Sequence, residues 1–284
     1  MGSSLGATVC LTFDFDAISG WLDPSKPISP CLISRGEFGA VAAPRILDML
    51  DHFGIRTSWF VPGHTADTYP GLVKEVCERG HEIAHHGYCH ESPVGLSLEE
   101  ERRILERGTG ALERVTGKRP SGYRSPSWDL SPNTVGLLLE HGFVYDSSLM
   151  GNDFTPYWCR RGDRYTFDQA YHFGEAVELV EMPVTWGLDD FPAFEFVSLP
   201  HQVYPGLRSP SQVLEIWAGD FDYMVANVPG GVYVLTLHPQ VIGRGHRLLM
   251  LERLITHIRE VPGVRFERMI DFVLNWKRQA QPAS

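Results

Sequence analysis

The run Thr8-Val9-Cys10-Leu11-Thr12-Phe13-Asp14-Phe15-Asp16 decides how the rest of the chain is read. It is β-branched and apolar, then ends in two carboxylates at i and i+2. Side chains alternate along a strand, so both acids point to one side, about 6–7 Å apart. A turn or helix cap is the commoner use of such a pair. In a parallel barrel, however, functional groups collect at the carboxyl ends of strands. The flanking chain therefore has to choose between these uses.

Working outward, short β-type runs alternate with amphipathic stretches. Strands are expected over Thr8–Phe15, Thr57–Val61, Glu82–His86, Gly122–Pro126, Phe143–Ser147, Val177–Val184, Val232–Leu237 and Val264–Arg268. Helices are expected over Pro44–Phe53 and Leu72–Arg79, and from the Ser97-Leu98-Glu99-Glu100 capping box to Val115. Others run from Ser131-Pro132 to His141, from Ser209-Pro210 to Ala226, and over Leu248–Arg259 and Phe272–Lys277. Sustained alternation means parallel strands covered by helices. Ser19–Val41, Gly151–Gly174 and Thr185–Arg208 read as long functional loops. No repeat, low-complexity tract or linker interrupts the chain, so residues 1–284 read as one domain.

At 284 residues, 43% hydrophobic and 21% charged, the composition is that of a globular protein with a real core. A net charge of −10 without any lysine or arginine run argues against nucleic-acid or anionic-membrane partners. No apolar stretch approaches the roughly 18 residues of a membrane span. Met1–Gly6 lacks the charged start and apolar core of a secretion signal. The five scattered cysteines read as reduced thiols of a cytoplasmic protein.

Gly80–Glu91 (G-H-E-I-A-H-H-G-Y-C-H-E) offers two histidine pairs. His81-Glu82-x-x-His85 spells a zinc-protease motif, which needs a helix to bring i and i+4 to one face. Gly80 looks like a helix stop, and four strand residues span roughly 13 Å, too far for one metal. His86-x-x-x-His90 begins where the strand should end, and Gly87 lets the chain turn back. Asp14/Asp16, His86/His90, Arg124 and His238 each fall at the end of an expected strand.

These residues resemble the polysaccharide deacetylase (NodB-homology, carbohydrate esterase) family. The motifs are T-F-D-F-D at 12–16, H-G-Y-C-H at 86–90, Y-R-S-P-S-W at 123–128, P-V-T-W-G-L-D-D-F-P at 183–192 and L-T-L-H-P at 235–239. The resemblance implies an irregular, TIM-like (β/α)7-8 barrel. The commonest first motif has adjacent aspartates, whereas Phe15 separates them here. That looks like a subgroup with cytoplasmic peptidoglycan-deacetylase-like, cyclic imide hydrolase and allantoinase-like proteins, which tends towards tetramers. The run from His238 to Arg247 (H-P-x-x-x-G-R-x-x-R) points to the same subgroup.

From the resemblance, Asp16, His86 and His90 hold a divalent metal, with zinc expected from two imidazoles and a carboxylate. Asp14 is the general base, Arg124 holds its charge, and His238 protonates the leaving nitrogen. Asp189 or Asp190 orients His238. Tyr88, Trp128, Trp186 and Phe191 are expected to line the pocket, and Arg244 or Arg247 to hold a substrate carboxylate. The expected activity is hydrolysis of a non-peptide carbon–nitrogen bond, in an acetamido sugar or a small cyclic imide. A non-catalytic barrel binding a ligand or partner is the alternative, disfavoured by the intact residue set. Gly108-Thr109-Gly110 lies inside a helix and is no phosphate loop.

Overall fold

The structure is a computed structural model and describes residues 6–22, 29–199 and 202–280. In chain order the elements are β1 (Thr8–Asp14), α1 (Pro30–Phe53), β2 (Ser58–Val61), α2 (Gly63–Thr68), α3 (Pro70–Glu78) and β3 (Glu82–His85). Then come α4 (Leu98–Thr116), β4 (Gly122–Tyr123), α5 (Thr134–Glu140), β5 (Tyr145–Asp146), β6 (Tyr157–Arg161) and β7 (Glu175–Glu181). The chain continues through α6 (Asp190–Phe194), β8 (Phe196–Leu199), β9 (Gln202–Pro205), α7 (Pro210–Asn227) and β10 (Val232–Leu237). It closes with α8 (Pro239–Ile242), α9 (Gly245–Arg259), β11 (Arg265–Phe266) and α10 (Met269–Gln279).

Seven strands run parallel in the order β10-β1-β2-β3-β4-β5-β7, with β6 antiparallel at the β7 edge. The sheet curls into a half-barrel whose path ends at β10 and β6, and β11 pairs in parallel with Thr8 and Val9 at the start of β1. β1 and β10 are buried along their whole length, as mostly apolar strands in a doubly covered sheet are. Their register, Thr8 opposite Val232 through Phe13 opposite Leu237, brings the residues that follow, Asp14 and His238, level with each other. Likewise His85 pairs with Tyr123, so His86 and Arg124 leave their strands side by side.

The main departures lie in the three stretches read as loops. α1 starts at Pro30, not Pro44: Ser29 caps it, its hydroxyl accepting from Cys31 N at 3.3 Å. Pro44 was an attractive first residue, but it sits inside the helix. Gly36 also blurred the pattern, and a Cβ there would lie 2.4 Å from the Ala17 carbonyl oxygen. Residues 23–28 of Ser19–Val41 lie outside the described residues. Gly151–Gly174 contains β6, and Thr185–Arg208 contains α6 and the β8–β9 hairpin, with residues 200 and 201 outside the described residues. These strands are short and lack a clean period of two, so edge pairing rather than burial defines them.

The largest core cluster joins β1 and β10 to α1, α7 and α9, with Phe13 stacked on Trp59 at 4.7 Å. At the amino end of the sheet, Glu82 is buried and accepts from the Ser58 hydroxyl, from Tyr145 Oη at 3.0 Å and from Ile270 N at 3.1 Å. Ser58 Oγ in turn accepts from Met269 N at 2.8 Å. The Glu82 carboxyl thus caps the start of α10, and burial pushes its pKa up.

Candidate active site

Asp14 and Asp16 are both buried at the end of β1. Arg124, fully buried, donates from Nη1 to Asp14 Oδ1 at 2.6 Å and to Thr12 Oγ1 at 2.9 Å. Its Nε donates to Ser147 O at 3.1 Å and its Nη2 to Ser147 Oγ at 3.0 Å. The guanidinium lies 4.0 Å above the Phe60 ring. Burial alone would raise the Asp14 carboxyl, but Arg124, helped by His86 and His238, holds it below the usual carboxylate range.

His86 Nδ1 sits 2.7 Å from Arg124 O. A carbonyl can only accept, so Nδ1 carries the proton and Nε2 presents a lone pair. Burial keeps the ring neutral by lowering its pKa. Nε2 faces Asp16 Oδ1 at 3.4 Å, and His90 Nε2 faces the same oxygen at 3.9 Å. His90 is held at φ 59° by the turn after β3, a left-handed conformation that costs a histidine energy. Asp16 Oδ1 is buried without a hydrogen-bond partner. Ligand atoms of Asp16, His86 and His90 all lie within 4.8 Å of one another. Converging acceptors around a buried oxygen with no donor fit a cation, and two imidazoles with a carboxylate suit a divalent ion of the zinc type.

His238 lies opposite. Its Nδ1 is 2.7 Å from Asp190 Oδ1, and its backbone N donates to both Asp190 oxygens at 3.1 and 3.0 Å. Nε2 points inward, 3.8 Å from Asp16 Oδ2 and 4.0 Å from Asp14 Oδ2. Burial would depress the imidazole, but Asp189 and Asp190 overcome it and raise its pKa well above the usual value. Asp189, pushed up to about 7 mainly by burial, caps α6 by accepting from Phe191 N at 2.7 Å. Asp190, rather than Asp189, therefore makes the close contact with His238.

The aromatic residues divide. Trp128 and Trp186 stack at 4.2 Å, Trp186 about half exposed, and Trp128 packs with Phe60, Met182 and Val184 inside the half-barrel. Phe191 lies 5.5 Å from the His238 ring and 6.3 Å from Trp21. Tyr88 does not join them: its hydroxyl donates to Asp67 at 3.1 Å and Arg107 covers its ring at 3.5 Å, between α2 and α4. The two arginines of 243–247 also have other partners, Arg247 lying in the first turn of α9. Arg247 is buried and donates to Val241 O and Phe194 O at 2.8 and 3.2 Å, and Arg244 lies 3.6 Å over Phe38 of α1. Arg247 is thus committed to tying α9 to α6 and α8, and exposed Arg244 covers α1.

His81 and His85 are structural. His81 Nδ1 accepts from Thr57 N at 3.1 Å, and His85 Nδ1 accepts from Gly87 N at 3.1 Å. Burial lowers them to about 4 and about 3. A Cβ on Gly108 would lie 2.4 Å from His85 Nε2, so the glycine inside α4 serves close packing. Three contributors went unread in the sequence. Gln240 Nε2 donates to Asp16 Oδ2 at 3.4 Å, and Glu91 Oε2 accepts from Tyr88 N and Cys89 N at 3.1 and 2.6 Å. Ser147, the third, ends an expected strand, which was the available signal.

The sequence profile of the family described as polysaccharide deacetylase matches residues 5–145. A peptidoglycan deacetylase of Helicobacter pylori is 38% identical over 265 residues, covering 89% of this chain and 90% of its own. The chain belongs to the polysaccharide deacetylase family. Membership makes the chain a hydrolase of the deacetylase type. A solved structure assigned to the polysaccharide deacetylases, from Mycobacterium smegmatis, superposes with a TM-score of 0.86 at 35% identity, covering 100% of this chain and 95% of that one. An allantoinase structure shares the fold, with a TM-score of 0.79 at 21% identity over 100% of this chain and 94% of its own. No described helix is long and apolar enough to cross a membrane.

Proposed function

We propose that this chain, acting as one catalytic domain, is a zinc-dependent hydrolase that removes the acetyl group from an acetamido sugar. The observation that carries the reading is Asp14, fixed by Arg124 beside the Asp16–His86–His90 cation site, with the Asp190–His238 pair across from it. Bound there, a divalent ion acidifies water and polarises the substrate carbonyl.

The chain's own groups supply the proton traffic. Asp14 Oδ1 is spent on Arg124, so Oδ2 is the atom that takes the proton from the attacking water. His238 Nε2, 4.0 Å from that oxygen, gives a proton to the leaving nitrogen, yielding acetate and the free amine. Asp190 holds His238 Nδ1–H and steadies the imidazolium, as a carboxylate does in other acid–base pairs.

A second reading, opening of a small cyclic imide, uses the same three groups. The flat faces of Trp186 and Phe191 accommodate it, because aromatic rings stack on planar imides as readily as on sugars, and so they do not choose between the two substrates. All five cysteines are free thiols, which supports a cytoplasmic site of action. The resemblance supports a homotetramer, which sedimentation velocity checks.

The test is acetate release from N-acetylglucosamine oligomers and ring-opening of a cyclic imide, each with metal-stripped and zinc-reconstituted protein. Zinc-dependent acetate release is the expected result. Imide turnover alone moves the assignment to the second reading, and silence in all four samples overturns both.

A further inference from the structure

Arg124 can direct Asp14 only if the guanidinium itself is fixed. Thr12 and Asp14 hold the Nη1 side of the fork. Among the described residues, the Nε and Nη2 side is held by Ser147 alone, through its carbonyl at 3.1 Å and its hydroxyl at 3.0 Å. The hydroxyl is itself locked, since it donates its hydrogen to Met182 O at 2.9 Å and so can only accept from Arg124.

Nor can Ser147 follow the arginine if it moves. Glu181 Oε1 accepts from Ser148 N and Leu149 N, both at 2.9 Å. Ser148 Oγ accepts from Ser125 N at 2.9 Å and donates to Asp146 Oδ1 at 2.7 Å. The turn after β5 is therefore bolted to β7 on one side and to the segment after Arg124 on the other. Everything around Ser147 Oγ is buried, so water cannot replace it as an acceptor.

We propose that Ser147 is a positioning residue for the base: its hydroxyl fixes the rotation of the Arg124 guanidinium, and thereby the direction in which Asp14 Oδ2 points. The inference rests on the deacetylase reading for Asp14 as base, but the geometry it invokes can be measured separately.

The experiment compares zinc-loaded wild type, Ser147→Ala and Ser147→Thr. In Ser147→Ala, kcat for acetate release should fall about 10–100-fold, the range typical of groups that orient a catalytic residue. KM and the zinc Kd from chelator competition should stay within about twofold, because neither substrate nor metal ligands are touched. Ser147→Thr, which keeps the hydroxyl, should recover most of the lost kcat. An unchanged kcat in folded Ser147→Ala overturns the proposal.

If Ser147→Ala melts before it can be assayed, the wild-type protein carries the test. A guanidinium held on both sides gives separate Nη signals for Arg124 in nitrogen-15 NMR, and one averaged signal overturns the proposal. Wild type that releases no acetate defeats the deacetylase reading, whereas the Arg124 signature still decides the role of Ser147.

Discussion

Asp14 and Glu82 are both buried carboxylates in one sheet, Asp14 at the carboxyl end of β1 and Glu82 at the amino end of β3. Asp14 faces a guanidinium and two imidazoles, and its pKa is held down. Glu82 faces two hydroxyls and a backbone amide, and burial pushes its pKa up. One carboxyl is thus kept charged with an oxygen to spare, while the other is a bolt between β2, β5 and α10. Burial alone does not distinguish a reagent from a fastening. The charge of the partners and the presence of an uncommitted atom do.

That contrast breaks most visibly at its reactive end. Asp14→Asn should lower kcat by about 10³-fold or more while zinc still binds, because the base is lost and Asp16, His86 and His90 remain. Calorimetric zinc titration beside the acetate assay checks it, and loss of zinc would mean the two aspartates have exchanged roles. Asp190→Asn should cost about 10²–10³-fold in kcat by removing the charge that steadies His238. At the other end, Glu82→Ala should leave kcat per folded molecule unchanged. It should cost about 3 kcal/mol, roughly 6–9 °C in Tm, by stranding Ser58, Tyr145 and Ile270 N.

The smallest effect concerns pH. His81 and His85 have folded values of about 4 and about 3, below the ordinary 6.5. The unfolded chain therefore takes up protons that the fold refuses, and the stability present above about pH 6.5 is lost as pH falls towards 4. Calorimetry should show Tm dropping by about 3–4 °C between pH 7 and pH 6. His81→Gln, which keeps a polar group in place, should reduce that drop.

The strand-end residues were legible because parallel strands put their functional side chains at one edge, and alternation fixes which way they point. Asp14, His86, Arg124 and His238 come together through register, and Asp16 and His90 through the turns that follow β1 and β3. The refusal of His81-Glu82-x-x-His85 as a metal site also followed from strand geometry, since His85 turns outward against Leu105 O at 3.1 Å and His86 turns inward. What was illegible depends on contacts without a period. Arg244 and Arg247 belong to a basic run that reads like an anion site, yet Arg247 falls in the first turn of α9, where carbonyl oxygens of Phe194 and Val241 claim it. Tyr88 lies inside a metal motif and still turns away, because Asp67 and Arg107 offer a better partnership. The early start of α1 was hidden by Gly36 and Gly39, which Ala17 approaches closely, and by Pro44 inside the helix.

Arg124 serves the site twice, by different atoms. Its side chain directs Asp14, and its main-chain oxygen fixes the proton on His86. A codon change can erase the first contact but not the second, since every residue carries the same carbonyl. The two halves of the site are thus separable by mutation in one direction only. A protein that has lost the arginine keeps the His86 imidazole aimed at the candidate cation site.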